Sequence, residues 1–206
     1  MKRSAGGAMV AEPQAAETGL LQGEVERPEQ PPARSPRVAE IVEAARHILE
    51  DEGAGALTMR RLAEDLHIQA PSLYKHFSGK ADVESVLIAD ALFDIGDVTH
   101  AVLHAAGAET ALRRLLDVYH SYCLSHPNLY RLATSGHLDR ARLPEGLEEW
   151  AGNPWFVVTG ESALAQALWS FAHGMLILEL DQRYPPGSDL SGTWRAGATA
   201  FELAAR

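Results

Sequence analysis

Apolar residues recur three and four positions apart from Pro36 to the C-terminus, the spacing of amphipathic helices. Val38, Ile41, Ala45 and Ile48 set the first stripe. Ser35 is a favoured N-cap, Pro36 suits the first helical position, and Gly53 closes the helix. A second helix starts at Thr58 and turns Met59, Leu62, Ala63 and Leu66 to one side. The tight turn His67-Ile68-Gln69-Ala70 leads into a third helix, Pro71 to about Phe77, with Leu73 and Phe77 facing inward at i, i+4. Ser78-Gly79 breaks it, and a fourth helix runs from about Lys80 into the Asp94–Gly96 region.

The pattern continues. Glu109–Ser125 groups Leu112, Leu115, Leu116, Tyr119, Tyr122 and Cys123 on one face. His126-Pro127 punctuates it, and Asn128–Ala133 starts another helix. Gly136 to Pro154 reads as loop, with a short helix near Leu147–Trp150. Thr159–Tyr184 is one long helix stopped by Pro185-Pro186-Gly187, and a last helix runs from Asp189 or Ser191 to Ala205. The expected fold is all-α, about nine helices, with a three-helix helix-turn-helix unit over 35–80 and a helical bundle over 81–206. Residues 1–34 are rich in Ala, Pro, Glu, Gln and Gly without periodicity, and are expected to be a disordered tail. Lys2, Arg3, Arg27 and Arg34 would suit a basic arm in a minor groove, but five Glu in the same stretch favour a solvated tail.

The two short helices around a tight turn have the layout of a DNA reader. Arg60 and Arg61 stand where the second helix would cross a phosphate backbone. The Thr58 hydroxyl and the free amides beside it are donors to phosphate. Ala70, Pro71 and Ser72 are small enough to let the third helix approach base edges, and a methyl or a hydroxyl there can read them. Tyr74, His76 and Lys80 fall on the flank that meets phosphates, while Lys75 projects outward to a guanine edge or a phosphate. The bland alternative is a structural corner with solvated cations and Tyr74 in the core.

Charge first argues against this reading, because the 206-residue chain carries a net −10 and DNA affinity is largely phosphate neutralisation. Distribution matters more than the sum. Between Thr58 and Lys80 four cations (Arg60, Arg61, Lys75, Lys80) outnumber two anions (Glu64, Asp65). The apolar fraction of 46% supports a real core. One cysteine, Cys123, excludes an internal disulfide framework and fits a reducing compartment. The start of the chain lacks a secretory pattern and no run of about 18 apolar residues is evident, so a cytoplasmic protein without a membrane span is expected.

The stretch AARHILEDEGAGALTMRRLAEDLHIQAPSLYKHFSGKADV closely resembles the TetR family of bacterial repressors. Thr58, Leu62-Ala63, Leu73-Tyr74-Lys75-His76-Phe77 and Lys80 match the family's pattern, and the likeness is specific over about residues 38–85. One departure is His67, where the family often has Gly; His tolerates the left-handed conformation better than most residues. The resemblance implies that Thr58, Tyr74, His76 and Lys80 contact phosphates and that Ala70–Ser72 and Lys75 sit over bases. It implies a homodimer on a palindromic double-stranded operator, and a small-molecule effector that enters the C-terminal bundle and swings the fourth helix.

The long helix carries three stripes: Leu164, Leu168, Phe171, Met175 and Leu178; Trp169, His173, Leu176 and Leu180; and the small Ala163, Ala167, Ser170 and Gly174. So much apolar circumference implies burial on more than one side. With Trp194, Ala198 and Phe201 of the last helix, residues Ala163, Ala167, Ser170, Phe171 and Gly174 are the expected dimer interface, an isologous contact. The Trp169-to-Gly174 run is also similar to a signature of one TetR-like subgroup. Candidate ligand contacts are His100, His104, Tyr119, Tyr122, Cys123, Trp155, Phe156 and Trp169, aromatics with a few polar tips that suit an apolar effector. His100 and His104 have the i, i+4 spacing of zinc ligands, but no third ligand stands at a matching position, so no metal or cofactor is expected. No Gly-rich phosphate loop, nucleophile elbow or paired metal motif is present, and Glu148-Glu149, adjacent on a loop or short helix, should diverge rather than act as an acid pair, so the chain is not expected to be an enzyme. The alternative is a helical ligand-binding protein or enzyme whose helix-turn-helix is purely structural.

Overall fold

The computed structural model describes residues 25–31, 33–103, 105, 107 and 109–206, which form nine α-helices and no strand. The order is α1 (Pro36–Glu52), α2 (Met59–Asp65), α3 (Ala70–Leu73), α4 (Lys80–Ala101), α5 (Ala111–Ser125), α6 (Pro127–Thr134), α7 (Leu147–Thr159), α8 (Ser162–Leu180) and α9 (Leu190–Ala204), with a 3-10 turn at Arg140–Arg142. The expected caps hold: the Ser35 and Thr58 hydroxyls accept from the amides of Val38 and Arg61.

The core has three parts. Ile41, Ala45, Leu49, Leu57, Leu62, Leu73 and Phe77 pack α1–α3 together. Val83, Leu87 and Ala91 of α4 and Leu129 of α6 belong to the same cluster, so the division expected at residue 80 falls inside shared packing. Leu112, Leu115, Tyr119, Cys123, Tyr130, Trp155, Leu168 and Leu176 build a second cluster from α5–α9. Ala89, Phe93, Leu147, Trp150 and Ala151 make a third between α4 and α7, with Val25 packed against it.

Three helices depart from the expected limits, each for a physical reason. The third is a single α-turn rather than Pro71–Phe77; the amides of His76 and Phe77 both donate to the Leu73 carbonyl, which tightens the end and still turns Leu73 and Phe77 inward. The fourth passes through Gly96 to Ala101, because the space a side chain would fill there holds the Trp150 ring: a Cβ on Gly96 would lie 2.2 Å from its Cζ3. The short helix expected near Leu147–Trp150 is longer, α7, and continues through Pro154 to Thr159. Proline supplies no N–H to the carbonyl four residues back. That carbonyl belongs to Trp150, and His100 Nε2 sits 2.8 Å from it, standing in for the missing donor.

Residues 25–34, placed with the tail from sequence, lie along α4 where they are described. Arg27 forms a bidentate pair with Asp97, and Arg34 one with Asp90. α8 also departs from expectation. By length and composition alone it could cross a membrane, with a mean hydropathy of 1.3, and only 28% of that apolar stretch is buried inside the chain.

Candidate nucleic-acid interface and the helical body behind it

The reader is built on α2 and α3. Leu62 and Ala63 of α2 are buried against α1, which fixes the other side of α2 outward. Reversal between the helices is made by His67, which takes the left-handed conformation at φ 53°, as the turn requires. The Ile68 amide then donates to the Ala63 carbonyl at 3.0 Å, which locks the corner.

Burial of Leu73 and Phe77 decides what α3 shows to solvent. Tyr74 is 54% exposed, and Pro71, Lys75 and His76 are exposed beside it, with Ala70 and Ser72 half-buried at the start of the turn. Tyr74 is therefore not a core residue. Thr58 and Arg60 are also exposed, and the Arg60 side chain, 88% accessible, makes an i, i+4 contact of 3.6 Å to Glu64. Arg61 differs: its guanidinium turns to Glu52 at 2.6 Å and Asp65 at 3.2 Å, so it braces α2 against α1. Lys80 donates to the Ala54 carbonyl at 2.8 Å and pairs with Glu84, which ties the start of α4 to the α1–α2 loop. Asp82 accepts from the Ser78 hydroxyl and amide and from Arg142; those bonds, Ser78's first, hold its carboxyl below the usual range.

Behind the reader, α1 is fastened to the body at two successive turns. Arg46 Nη2 donates to Asp94 Oδ2 at 2.8 Å, and the Tyr122 hydroxyl donates to the same oxygen at 3.0 Å. One turn later the Glu50 carboxylate accepts from the amides of Asn128 and Leu129, both at 3.1 Å, while the Asn128 side chain donates to the Glu50 carbonyl. A carboxylate there satisfies orphan amides and complements the helix dipole of α6.

The candidate ligand contacts do not converge on one space. Tyr119 stands edge-on to Trp155 at 4.9 Å, with Cys123 fully buried and Phe156 half-buried in the same cluster. Burial pushes the Cys123 thiol up, which makes it an inert core group rather than a redox sensor. Tyr122 turns away to Asp94, and His100 stacks on Trp150 at 4.8 Å while serving its carbonyl. Trp169 lies 42% exposed over His173. His104 lies outside the described residues. Among the described residues no group of three or more His, Cys, Asp or Glu could hold a metal ion.

Sequence reasoning missed Tyr130. Its hydroxyl joins the Tyr119 hydroxyl at 2.9 Å and His173 Nδ1 at 2.6 Å, a polar chain through the body. Burial lowers the His173 pKa and favours the neutral ring that accepts there. No signal short of the tertiary fold links these three. Asp94, Glu50 and Trp150 were missed too; only Asp94, an acid between Phe93 and Ile95, carried a hint.

The dimer candidates divide. Phe171 packs on Trp194 and Phe201, its ring fills the space above Gly197, and Ala198 is 3% exposed, so these four form the α8–α9 seam within the chain. Phe171, Trp194 and Phe201 remain half-buried there, so part of each ring still faces outward. Ala163, Ala167 and Ser170 are exposed and Gly174 is half-buried, with Leu178 and Leu203 exposed nearby along α8 and α9. A cavity of about 440 Å³ opens between α5, α8 and α9, lined by Asp117, His120, Glu179 and Trp194. Another of about 420 Å³ lies between α1 and α2, lined by Glu43, His47, Asp51 and Asp65. None of the candidate ligand contacts lines either.

Known proteins share this arrangement. The profile of bacterial regulatory proteins of the TetR family matches residues 41–83. An uncharacterised HTH-type transcriptional regulator of Mycobacterium tuberculosis, Rv0681, is 30% identical over 190 residues, covering 84% of each chain. Two crystal structures share the fold. The TetR-family transcriptional regulator PfmR from Thermus thermophilus has a TM-score of 0.58 and 19% identity, over 79% of this chain and 97% of its own. A TetR variant from Acinetobacter baumannii, in complex with minocycline, has a TM-score of 0.53 and 20% identity, over 84% and 95%. The match over the reader and the relative that spans most of the chain agree with the geometry: this protein belongs to the TetR family of helix-turn-helix transcriptional regulators.

Proposed function

We propose that this regulator is a cytoplasmic homodimeric repressor that holds a palindromic operator and releases it when a small, mostly apolar ligand enters its helical body. Residues 35–80 act as the reader and 81–206 as the ligand-binding and dimerisation unit. The observation that carries the reading is the division of α3 and its following turn: Leu73 and Phe77 inside, Pro71, Tyr74, Lys75 and His76 outside. A structural corner has no use for an exposed tyrosine between an exposed proline and two basic side chains. Thr58, Arg60, Tyr74, His76 and Lys80 then meet phosphates, while Ala70, Pro71, Ser72 and Lys75 face base edges.

A single-turn reader covers few base pairs, so two copies about 34–36 Å apart are needed for specificity. The unburied apolar length of α8, with Ala163, Ala167, Ser170 and Gly174 as its small stripe, supports a second subunit on this face. The minocycline complex of a protein of the same fold supports a ligand in the body. Tyr119, Trp155 and Phe156 are closely packed here, so the ligand site would form by parting them.

Selection of binding sites from a random duplex library at near-physiological salt tests the reading. Enrichment of an inverted repeat supports a dimeric, sequence-specific reader. No enrichment by a folded dimer, with or without cell extract to supply an effector, would refute it.

A further inference from the structure

The acidic face of α4 holds three arginines, all from earlier in the chain. Asp90, Asp94 and Asp97 are spaced four and three apart, so they share one stripe. Asp94 takes Arg46 of α1. Asp90 and Asp97 take Arg34 and Arg27 from the segment before α1. Arg27 reaches Asp97 with Nε and Nη2, both at 2.8 Å. Its guanidinium also lies 4.9 Å from the centre of the Phe93 ring and 5.2 Å from that of Trp150. Val25 packs on the same cluster. One short stretch thus combines a fork-to-fork pair, a cation–π contact and an apolar anchor on a single site.

The direction of the segment matters. Arg27 lies at the body end of the stripe and Arg34 at the reader end, so the chain runs antiparallel to α4 and enters α1 at Pro36. Asp90 and Asp97 are about 10.5 Å apart along the helix axis. Prolines at 28 and 31 restrict the intervening chain, which lowers the entropy lost on docking it. α4 packs into both the reader core and the body core, through Val83, Leu87 and Ala91 at one end and Ile95 at the other. Its most extensive packing is against α7. The segment lies where Phe93 and Trp150 meet, closing the α4–α7 seam.

We propose that the segment before α1, through Val25, Arg27 and Arg34, forms a strap that fixes the tilt of α4 and thereby sets the operator affinity of the reader. The idea rests on the repressor reading above. A strapped α4 samples fewer tilts, so a larger share of dimers presents the two readers at groove spacing. Apparent affinity scales with that share. Releasing the strap spreads the population and weakens binding without touching any DNA contact. An effector that swings α4 has to overcome the same strap.

The test uses two double variants of the full chain. Arg27→Ala with Arg34→Ala removes the strap side; Asp90→Asn with Asp97→Asn removes the α4 side. Both are surface changes and leave the core intact. Amide exchange over residues 89–97 reads the strap without DNA and is expected to accelerate about threefold to tenfold in each variant. Affinity for the selected operator is expected to fall by a similar factor in both. The asparagine variant decides against the rival in which these arginines grip DNA directly, because freeing them would then tighten binding. Tighter binding by that variant, or unchanged exchange in both, overturns the strap. If the wild-type chain binds no duplex while exchange accelerates as expected, the repressor reading fails and the structural strap stands; its control of operator affinity then falls with that reading.

Discussion

Gly96→Ala tests the packing of α4 on α7 at a single atom. In an exposed helix interior this change stabilises by about 1 kcal/mol, because alanine loses less backbone entropy than glycine. Here the new Cβ would stand 2.2, 2.6 and 2.8 Å from three atoms of the Trp150 ring. Carbon atoms settle at about 3.5–4.0 Å, so the ring must move by more than an ångström. It has nowhere to go: Trp150 is 3% exposed, His100 stacks on it with an interplanar angle of 8°, and Phe93 leans on it at 6.0 Å. Overpacking of this kind costs about 1–3 kcal/mol, and the rigid surroundings place it near the top of that range. The net effect is a loss of about 2 kcal/mol, or roughly 4–8 °C in Tm. The background reverses the sign. Trp150→Ala alone costs about 3–5 kcal/mol, and in that variant Gly96→Ala meets open space and gains about 1 kcal/mol. Urea denaturation of the four proteins completes the cycle. A Gly96→Ala protein as stable as wild type, or an equal loss in both backgrounds, would refute the close approach.

Further outcomes follow from the same geometry. Tyr74→Ala leaves stability within about 0.5 kcal/mol, since the ring is half exposed, while operator affinity drops for every sequence tested; intact affinity in a filter-binding titration would remove Tyr74 from the interface. Lys75→Ala changes base preference in a repeated site selection if the side chain reads an edge, or lowers the salt slope by about 0.9 if it meets a phosphate; a protein that does neither has its Lys75 in solvent. His67→Val destabilises by about 1–2 kcal/mol in urea because a β-branched residue is strained at φ 53°, whereas His67→Gly stays within about 1 kcal/mol of wild type. Asp82 has a depressed pKa, so its stabilising effect is present above the ordinary carboxylate range and is lost as pH falls through the depressed value; Asp82→Asn removes that part of the acid limb in a pH series of thermal melts.

The reader was legible because its signals are local. Thr58 caps the amide three residues on, His67 tolerates a left-handed turn, and the i, i+4 pair Leu73–Phe77 orients α3, all within a few residues of chain. Amphipathic stripes gave α5, α8 and α9 for the same reason. What failed depends on distant partners. Pro154 argues for loop by every local rule, yet α7 passes through it, with His100, 50 residues before Trp150 in sequence, supplying a donor to the Trp150 carbonyl. Gly96 reads as a break, and only the ring opposite makes it a seat. Arg27 and Arg34 sit in a composition typical of disorder, and their partners are 70 and 56 residues away. The apolar stripes that carry Phe171 on one helix and Trp194, Ala198 and Phe201 on the other are local and legible; that they meet each other in one seam is a property of the tertiary fold.

These distant contacts define how the body and the reader are joined. Tyr122 and Arg46 share one oxygen of Asp94, so a shift of α5 that moves the tyrosine leaves the carboxylate to α1 alone or drags α4 with it. Tyr122 neighbours Cys123 and packs against the cluster that holds Tyr119 and Trp155, where the proposed ligand would enter. Glu50, one turn further along α1, binds the first amides of α6, and α6 carries Tyr130 back into the same cluster. The body thus grips the reader by two neighbouring turns of one helix, through α4 and α6 separately. A ligand that displaced α5 would act on the first grip, and one that broke the Tyr119–Tyr130–His173 chain would act on the second. Effector couplings of about 1–3 kcal/mol suffice for regulation. A charge-assisted hydrogen bond is worth about that much, so the loss of one grip is enough. Release of the operator under the proposed mechanism therefore needs no unfolding of the reader, only a change in which of these two carboxylate contacts still ties α1 to the body.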